Sequence, residues 1–337
     1  MTAPTASASH RARMPLSIWI VAVALPLLIG LTAVLVQVAW APQLPDPIAI
    51  HWGLDGADGF APAWASIVLT GGLTLGLVGL FAAILGLARG QAPTATHKLL
   101  AVSSLVVSIL LGGTITASVA VQRGLDDASD APDITPWLIG SLVVALAVGA
   151  LAWFLLPKAV SPTTEFSPAE PLPLAPGERS VWIAETRLSG GAVAIILLAV
   201  GLAVAATIFA VAVSDGLLWP LLALPVLLVV MCAAGIAWRV RVDAGGITVR
   251  SQPFGWPRTR IAASDIASVD TSHVEPLAEF GGWGWRWAPG RNFGVITRSG
   301  EAIEVTRRDG RRFTVTVDDA ATGAALLAAY ARAAVTP

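Results

Sequence analysis

Long apolar runs separated by short polar ones set the pattern of this chain. Uncharged apolar stretches fill residues 17–40, 64–88, 99–121, 136–157, 190–213 and 217–238. Each has the roughly 20 residues that a helix needs to cross a hydrocarbon core of about 30 Å, so six transmembrane helices are predicted. The first run has basic flanks at Arg11 and Arg13 and an Ala39-Trp40-Ala41 string like a signal cleavage site. Its apolar stretch is longer than the roughly 7–15 residues of a signal core, so it reads as a retained helix.

After the sixth run the period changes to two. Val240 and Val242 alternate with Arg239 and Arg241, and Ala244-Gly245-Gly246 leads into Ile247 and Val249. Alternation returns at Ile303 and Val305 and at Phe313, Val315 and Val317, after turns at Ser299-Gly300 and Asp309-Gly310. This pattern predicts antiparallel hairpins with one buried face. Asp318 or Asp319 is placed to cap a last helix reaching about Arg332, with Leu326, Leu327 and Tyr330 over the sheet. The expected fold is a membrane all-α part with six transmembrane helices plus a small C-terminal β-rich domain closed by one helix. Its divisions are a tail (1–16), a four-helix membrane domain (17–157) with an outer loop (41–63), a Pro-rich linker (158–187), a two-helix hairpin (188–238) and the β-rich domain (239–337).

Composition agrees with a bilayer as the main solvent: 55% of residues are hydrophobic, 13% are charged, and the mean hydropathy is +0.73. The net charge of −1 hides an uneven distribution that gives the helices a direction. Lys and Arg near helix ends stay cytoplasmic. Arg11 and Arg13, Arg89 and Lys98, Lys158, Arg179 and Arg187, and Arg239 and Arg241 mark the inward segments. The alternate segments carry only Arg123 among Asp126, Asp127, Asp130 and Asp133, or no basic residue, as in 41–63. The expectation is a multi-pass plasma-membrane protein with both termini cytoplasmic. Trp40, Trp64, Trp137 and Trp219 fall at outer ends, and Trp19, Trp153 and Trp238 at inner ones, as indole rings at headgroup level do.

The candidate chemistry is sparse. Cys232 stands alone in an apolar run, and His10, His51, His97 and His273 are far apart, so no metal or cofactor is expected. None of the six runs holds an Asp, Glu, Lys, Arg or His, which weighs against an ion-coupled transporter. No nucleophile-and-base motif and no phosphate-binding glycine loop occurs, so an enzyme is not expected. The arginines follow a spanning helix and the net charge is near zero, so neither is nucleic-acid binding.

The most distinctive segment lies between the first two runs, Leu44-Pro-Asp-Pro-Ile-Ala-Ile-His-Trp-Gly-Leu-Asp-Gly-Ala-Asp-Gly59. Its prolines, glycines and aspartates predict an ordered, turn-rich, hairpin-like loop. Leu44, Pro45, His51, Trp52, Gly56, Asp58 and Gly59 match a string in the SdpI-like family of bacterial toxin-immunity membrane proteins, and the likeness extends over residues 15 to 158. Gly53 stands where that family usually has Asn. The resemblance implies toxin immunity or sensing of an extracellular peptide, with Asp46, His51, Trp52, Asp58 and Gly59 as ligand-binding candidates. Read from the residues alone, His51 and Trp52 either touch a ligand or anchor the loop on the helix ends.

In the C-terminal part, Ser264-Asp265-Ile266-Ala267-Ser268-Val269 and the run of strands before a last helix resemble a bacterial pleckstrin-homology-like domain over residues 236–334. Two features there suit a partner protein or the membrane surface. One is the basic set containing Arg258, Arg260, Arg311 and Arg312; the other is the aromatic string containing Trp283, Trp285 and Trp287. The expected function is non-enzymatic: binding or sensing an extracellular ligand, such as a peptide or toxin, and coupling to a cytoplasmic protein partner. A membrane-anchored scaffold and an uncoupled channel or carrier are the alternatives.

Overall fold

A computed structural model describes residues 14–88, 91–161, 164–175, 177–213, 219–252, 254–288 and 292–334. His10, Arg11 and Arg13, Arg89, Pro162 and Pro176, and Leu217 and Leu218 at the head of the sixth run lie outside the described residues. The chain forms two compact units, residues 1–161 with 201–223, and residues 162–200 with 224–337.

The first unit is a helical bundle carrying a β-hairpin. Its opening helix runs as α1 (Leu16–Trp19), a π turn (Ile20–Ala24) and α2 (Leu25–Trp40). There follow β1 (Ile48–Gly53) and β2 (Gly56–Ala61), then α3 (Trp64–Leu87), α4 (Ala95–Ala120) and α5 (Thr135–Leu155). The π turn has a local cause. Pro26 has no N–H to give the carbonyl four residues back, at Ala22. The buried Ser104 hydroxyl of α4 donates to that oxygen instead, at 2.7 Å. Higher in the bundle, fully buried Gln37 donates to Thr70 Oγ1 at 3.0 Å and Thr116 Oγ1 at 3.2 Å, joining α2, α3 and α4. Such bonds between helices satisfy groups that lipid cannot.

The second unit contains β3 (Phe166–Pro168), β4 (Trp182–Arg187), the first half of α6 (Gly190–Val213) and α7 (Ala223–Gly235). Next come β5 (Ala237–Asp243), β6 (Gly246–Gln252), β7 (Arg258–Ile261), β8 (Ile266–Val274), α8 (Pro276–Phe280) and β9 (Gly284–Ala288). The last elements are β10 (Asn292–Ile296), β11 (Gly300–Arg307), β12 (Arg312–Thr316) and α9 (Ala320–Ala333). One sheet has the order β3-β8-β11-β12-β10-β9, the other β4-β5-β6-β7. Between them lies a core that includes Trp238, Val240, Ile247, Ile303, Phe313 and Leu327.

Among the described residues, five helices are long and apolar enough to cross a membrane: Leu16–Gln43, Trp64–Leu87, Ala95–Ala120, Thr135–Leu155 and Gly190–Val213. The sixth apolar run contains a shorter helix, Trp219–Gly235, and its last residues go elsewhere. Ala237 and Trp238 belong to β5, with Trp238 only 1% exposed in the core between the sheets. The alternation read at Val240 and Val242 begins at Trp238, so this indole is a core side chain of β5, its Nε1 donating to Gly235 O at the end of α7 at 2.9 Å.

The Pro-rich segment 158–187 also differs from a bare spacer. It supplies an edge strand to each sheet, β3 beside β8 and β4 beside β5. Tyr330 Oη both donates to Ser180 O at 2.7 Å and accepts from Ser180 N at 2.8 Å, tying this segment to α9. Not every strand pair is antiparallel: β10 and β12 are parallel, because the Ser299-Gly300 turn delivers β11 to β8 and β12 instead of folding it back on β10. α9 starts after Asp319, whose carboxylate accepts from the Thr322 hydroxyl at 2.7 Å and from no backbone N–H of the first turn.

Candidate functional site

The loop between the first two long helices is a two-stranded hairpin, with Trp52 opposite Ala57 and His51 opposite Gly59. Its base is fastened at three points. Asp46 Oδ1 accepts from Ala63 N at 3.1 Å, where α3 begins. Gln122, just past α4, accepts from Ala49 N at 2.7 Å and donates to Ala49 O at 3.0 Å. Arg123 donates from Nε to Gln43 Oε1 at 2.9 Å and lies over the Trp40 ring at 4.6 Å. Trp52 and Phe60 pack against the small cluster of Ala49, Ala128 and Ala131.

His51 and Asp58 face outward side by side, with about half of each side chain exposed and His51 Nδ1 2.5 Å from Asp58 Oδ1. An ionised carboxylate only accepts, so Nδ1–H donates, leaving Nε2 of a neutral imidazole as an acceptor. Gly53 makes room for this pair: a Cβ there would stand 2.4 Å from Asp58 Oδ2. The Trp and His of the motif therefore divide their work: the indole is packed and the imidazole is presented.

The surroundings are acidic. Residues 41–63 and 122–134 hold Asp46, Asp55, Asp58, Asp126, Asp127, Asp130 and Asp133 against one arginine, Arg123. Asp127 is held below the ordinary carboxylate range by the Ser129 backbone N–H and then its hydroxyl, and Asp133 likewise by Thr135. These groups are anionic at any physiological pH. Among the described residues no group of three His, Cys, Asp or Glu side chains is arranged to hold a metal ion.

In the second unit a groove of about 570 Å³ opens between β7 and the β9–β10–β12 side of the larger sheet. Trp285, Trp287, Phe293 and Phe313 form its aromatic wall, with ring centroids 4.8 Å apart for Trp285–Phe293, 4.9 Å for Trp287–Phe293 and 5.5 Å for Phe293–Phe313. Arg307, Arg311 and Arg312 also line it, and among the described residues no carboxylate does. Of the candidate residues read from sequence, Trp285, Trp287, Arg311 and Arg312 thus come together. Trp283, Arg258 and Arg260 do not line the groove; on β7 it is Thr259 and Ile261 that do.

Residues 18–75 match a domain of unknown function, DUF1648. No curated protein and no solved structure matches the chain. The DUF1648 segment takes in the opening helix from Ile18, the whole hairpin and the first half of α3. It stops before α4, so Gln122 and Arg123, which hold the DUF1648 hairpin down, lie outside the matched residues.

Sequence reasoning placed Arg307 in the basic set with Arg311 and Arg312, but missed Gln122, Gln37, Phe293 and Phe313 as site-building residues. Gln37 and Gln122 are the polar amides at the ends of long apolar runs, and that isolation is the signal by which they are found. Phe293 and Phe313 carried only a strand pattern, with nothing local to place them beside Trp285.

Proposed function

We propose that this chain is a non-enzymatic, multi-pass plasma-membrane protein of the SdpI-like type that binds a cationic extracytoplasmic ligand, such as a basic peptide, on the β1–β2 hairpin. The observation that carries this reading is the exposed His51–Asp58 pair on a hairpin fastened from beneath by Gln122. The pair offers an acceptor next to a carboxylate, and the six other aspartates around it give the outer surface an attractive field for cations. A fixed platform spares the ligand the cost of ordering the loop.

The course of the second unit supports six crossings with both termini cytoplasmic. The chain leaves the smaller sheet at Arg187 and returns at Ala237, which are partners across the β4–β5 ladder, and Leu188 N donates to Ile236 O at 2.9 Å. Departure and return are adjacent. If α6 crosses the membrane outward, the Trp219–Gly235 segment must bring the chain back across it. The 13 residues of α7 after a single 3₁₀ turn reach roughly 28 Å, close to one hydrocarbon core. The two-sheet domain with α9 across it is then the cytoplasmic arm, of pleckstrin-homology-like type, through which binding outside couples to a partner inside.

Binding of a lysine-rich peptide to vesicles of neutral lipid containing the full chain tests the reading. Saturable binding that weakens about tenfold in Asp58→Asn and falls with added salt is expected. His51→Ala should weaken it while leaving expression and helix content unchanged. Equal uptake by protein-free vesicles, or full binding by both variants, would sink the proposal.

A further inference from the structure

Residues 164–168 of the Pro-rich segment, which carry β3, form a strap along one edge of the larger sheet, and the outer-ligand reading gives them no part. We infer that this strap is a proton-operated latch, seated on the sheet while Glu304 is protonated and lifted when Glu304 ionises.

Three observations carry this. The first is where the strap is held. Glu304 lies 6% exposed on β11, with Thr314, Ser272, Glu279 and Arg312 about it. All of these except Thr314 also meet the strap. Ser272 Oγ donates to Glu304 Oε1 at 3.2 Å, and Ser272 is the partner of Phe166 across the β3–β8 ladder. Glu279 Oε2 accepts from Thr164 Oγ1 at 2.5 Å. The Arg312 guanidinium lies over the Phe166 ring at 5.3 Å. The Glu304 carboxyl is therefore in the middle of the strap's seat.

The second is what a charge would do there. An ionised Glu304 attracts Arg312, in competition with the stack on Phe166, and repels the Glu279 carboxylate that holds Thr164. Both attachments weaken together. The other charged groups on the packed elements supply no counter-charge at this point. Asp270, opposite Glu304 on β8, is itself acidic and is the partner of Pro168. Glu275, just before α8, has its Oε1 2.7 Å from Ser299 Oγ and 3.6 Å from His273 Nε2, and Glu165 of the strap is exposed. Burial above all, with Glu279 adding to it, raises the Glu304 carboxyl to about 7, so the change of charge falls near neutral pH.

The third is that the strap is lightly built between firmer points. All three residues of β3 are exposed, and the Thr271 hydroxyl reaches Ser167 O only at 3.3 Å. Before it, Val160 N donates to Pro93 O at 2.8 Å; after it, Ala169 N donates to Val269 O and Leu172 N to Ala325 O, each at 3.0 Å. The strap can thus lift while the two-sheet core stays closed. Its release frees five residues, about 17 Å of chain at roughly 3.3 Å per residue, and so loosens the tether by which the first unit leads into the second.

The test uses the full chain in neutral detergent with Cys232→Ser and spin labels on Glu165→Cys and Ala267→Cys, both exposed, read by pulsed electron paramagnetic resonance from pH 6 to pH 8. One short distance is expected at pH 6, and a longer, broader one should replace it with a midpoint near 7. A control pair on Ala267→Cys and Ala333→Cys should not move. Glu304→Gln should keep the strap seated at both ends of the range. Thr164→Val, which removes only the bond to Glu279, should lower the midpoint by about one pH unit, since a weaker seat is left at a lower pH. That shift decides the matter even where Glu304→Gln does not fold. An unchanged distance in the parent, a change that persists in Glu304→Gln, or a Thr164→Val midpoint equal to the parent's overturns the latch. Movement of the control pair would show the whole domain loosening, and overturns it too.

Discussion

Gln122 clasps the backbone of Ala49, accepting from its N–H at 2.7 Å and donating to its carbonyl at 3.0 Å. Seventy-three positions apart in sequence, the two make the pair of bonds that a neighbouring strand would make, and the same amide also donates to Ser118 O at 2.8 Å. A single side chain thus continues the hairpin's ladder into the end of α4. The presented His51–Asp58 pair inherits its position from this clasp.

Replacing Gln122 by Leu should therefore free the hairpin while sparing the bundle. Both polar groups of Ala49, itself 1% exposed, would be left without partners, at about 1–3 kcal/mol each. The expected outcome is much faster amide exchange across β1 and β2, and proteolysis near Leu54, which is fully exposed at the tip. Unchanged exchange at Ala49 would refute the clasp's role.

Ser104 and Pro26 should prove coupled. Ser104→Ala removes the donor that replaces the missing proline N–H at Ala22 O, for a cost of about 1 kcal/mol. In the Pro26→Ala background the backbone supplies that donor, and the cost should shrink toward zero. Melting temperatures of the four proteins in one detergent form the required cycle, and additive losses would contradict the coupling.

What the sequence disclosed follows from how far each signal reaches. The five long runs are self-contained, each apolar over its whole length, so lipid alone decides them. The hairpin at 48–61 was marked by local turn chemistry around Gly56 and Gly59. Trp238 misled because it is apolar in both contexts: it extends a helical run and begins the alternation Trp238, Val240, Val242 that β5 obeys. β3 has only three residues, too few for any period to show, and exists because Phe166 and Pro168 find the edge of β8. The groove needs β9, β10 and β12 side by side, and the parallel β10–β12 pairing that achieves this has no local signature.

Gly323 in α9 records a close approach that leaves no room for a side chain. A Cβ there would meet Ile303 Cδ1 and the Trp182 ring, each at 2.9 Å. Gly323→Ala gains about 1 kcal/mol of helix propensity, but crowding costs about 1–3 kcal/mol, so the net expected effect is a loss. Trp182→Leu clears the ring atoms and should return part of that loss in the double variant. A stabilised single variant, read by thermal unfolding, would show that α9 simply lifts.

Glu304 gives the second unit a pH dependence with a definite sign. Its carboxyl lies 6% exposed on β11, accepting from Thr314 Oγ1 at 2.7 Å and Ser272 Oγ at 3.2 Å. Burial pushes it up from 4.5 to about 7, against the pull of those hydroxyls; nearby Glu279 adds to the rise and Arg312 opposes it. It does not neutralise the surface arginines as an exposed glutamate would. The folded domain therefore holds this proton more tightly than the unfolded chain does. Stability from Glu304 is fully present below about pH 4.5 and is lost as pH rises through about 7, a change of about 3 kcal/mol. Thermal unfolding of the full chain followed from pH 5 to pH 8 should show the β-rich unit weakening across that window. Glu304→Gln keeps an acceptor for a hydroxyl and carries no titrating proton, so its unfolding should lose most of this slope. A variant whose slope equals that of the parent would show that Glu304 is not its source.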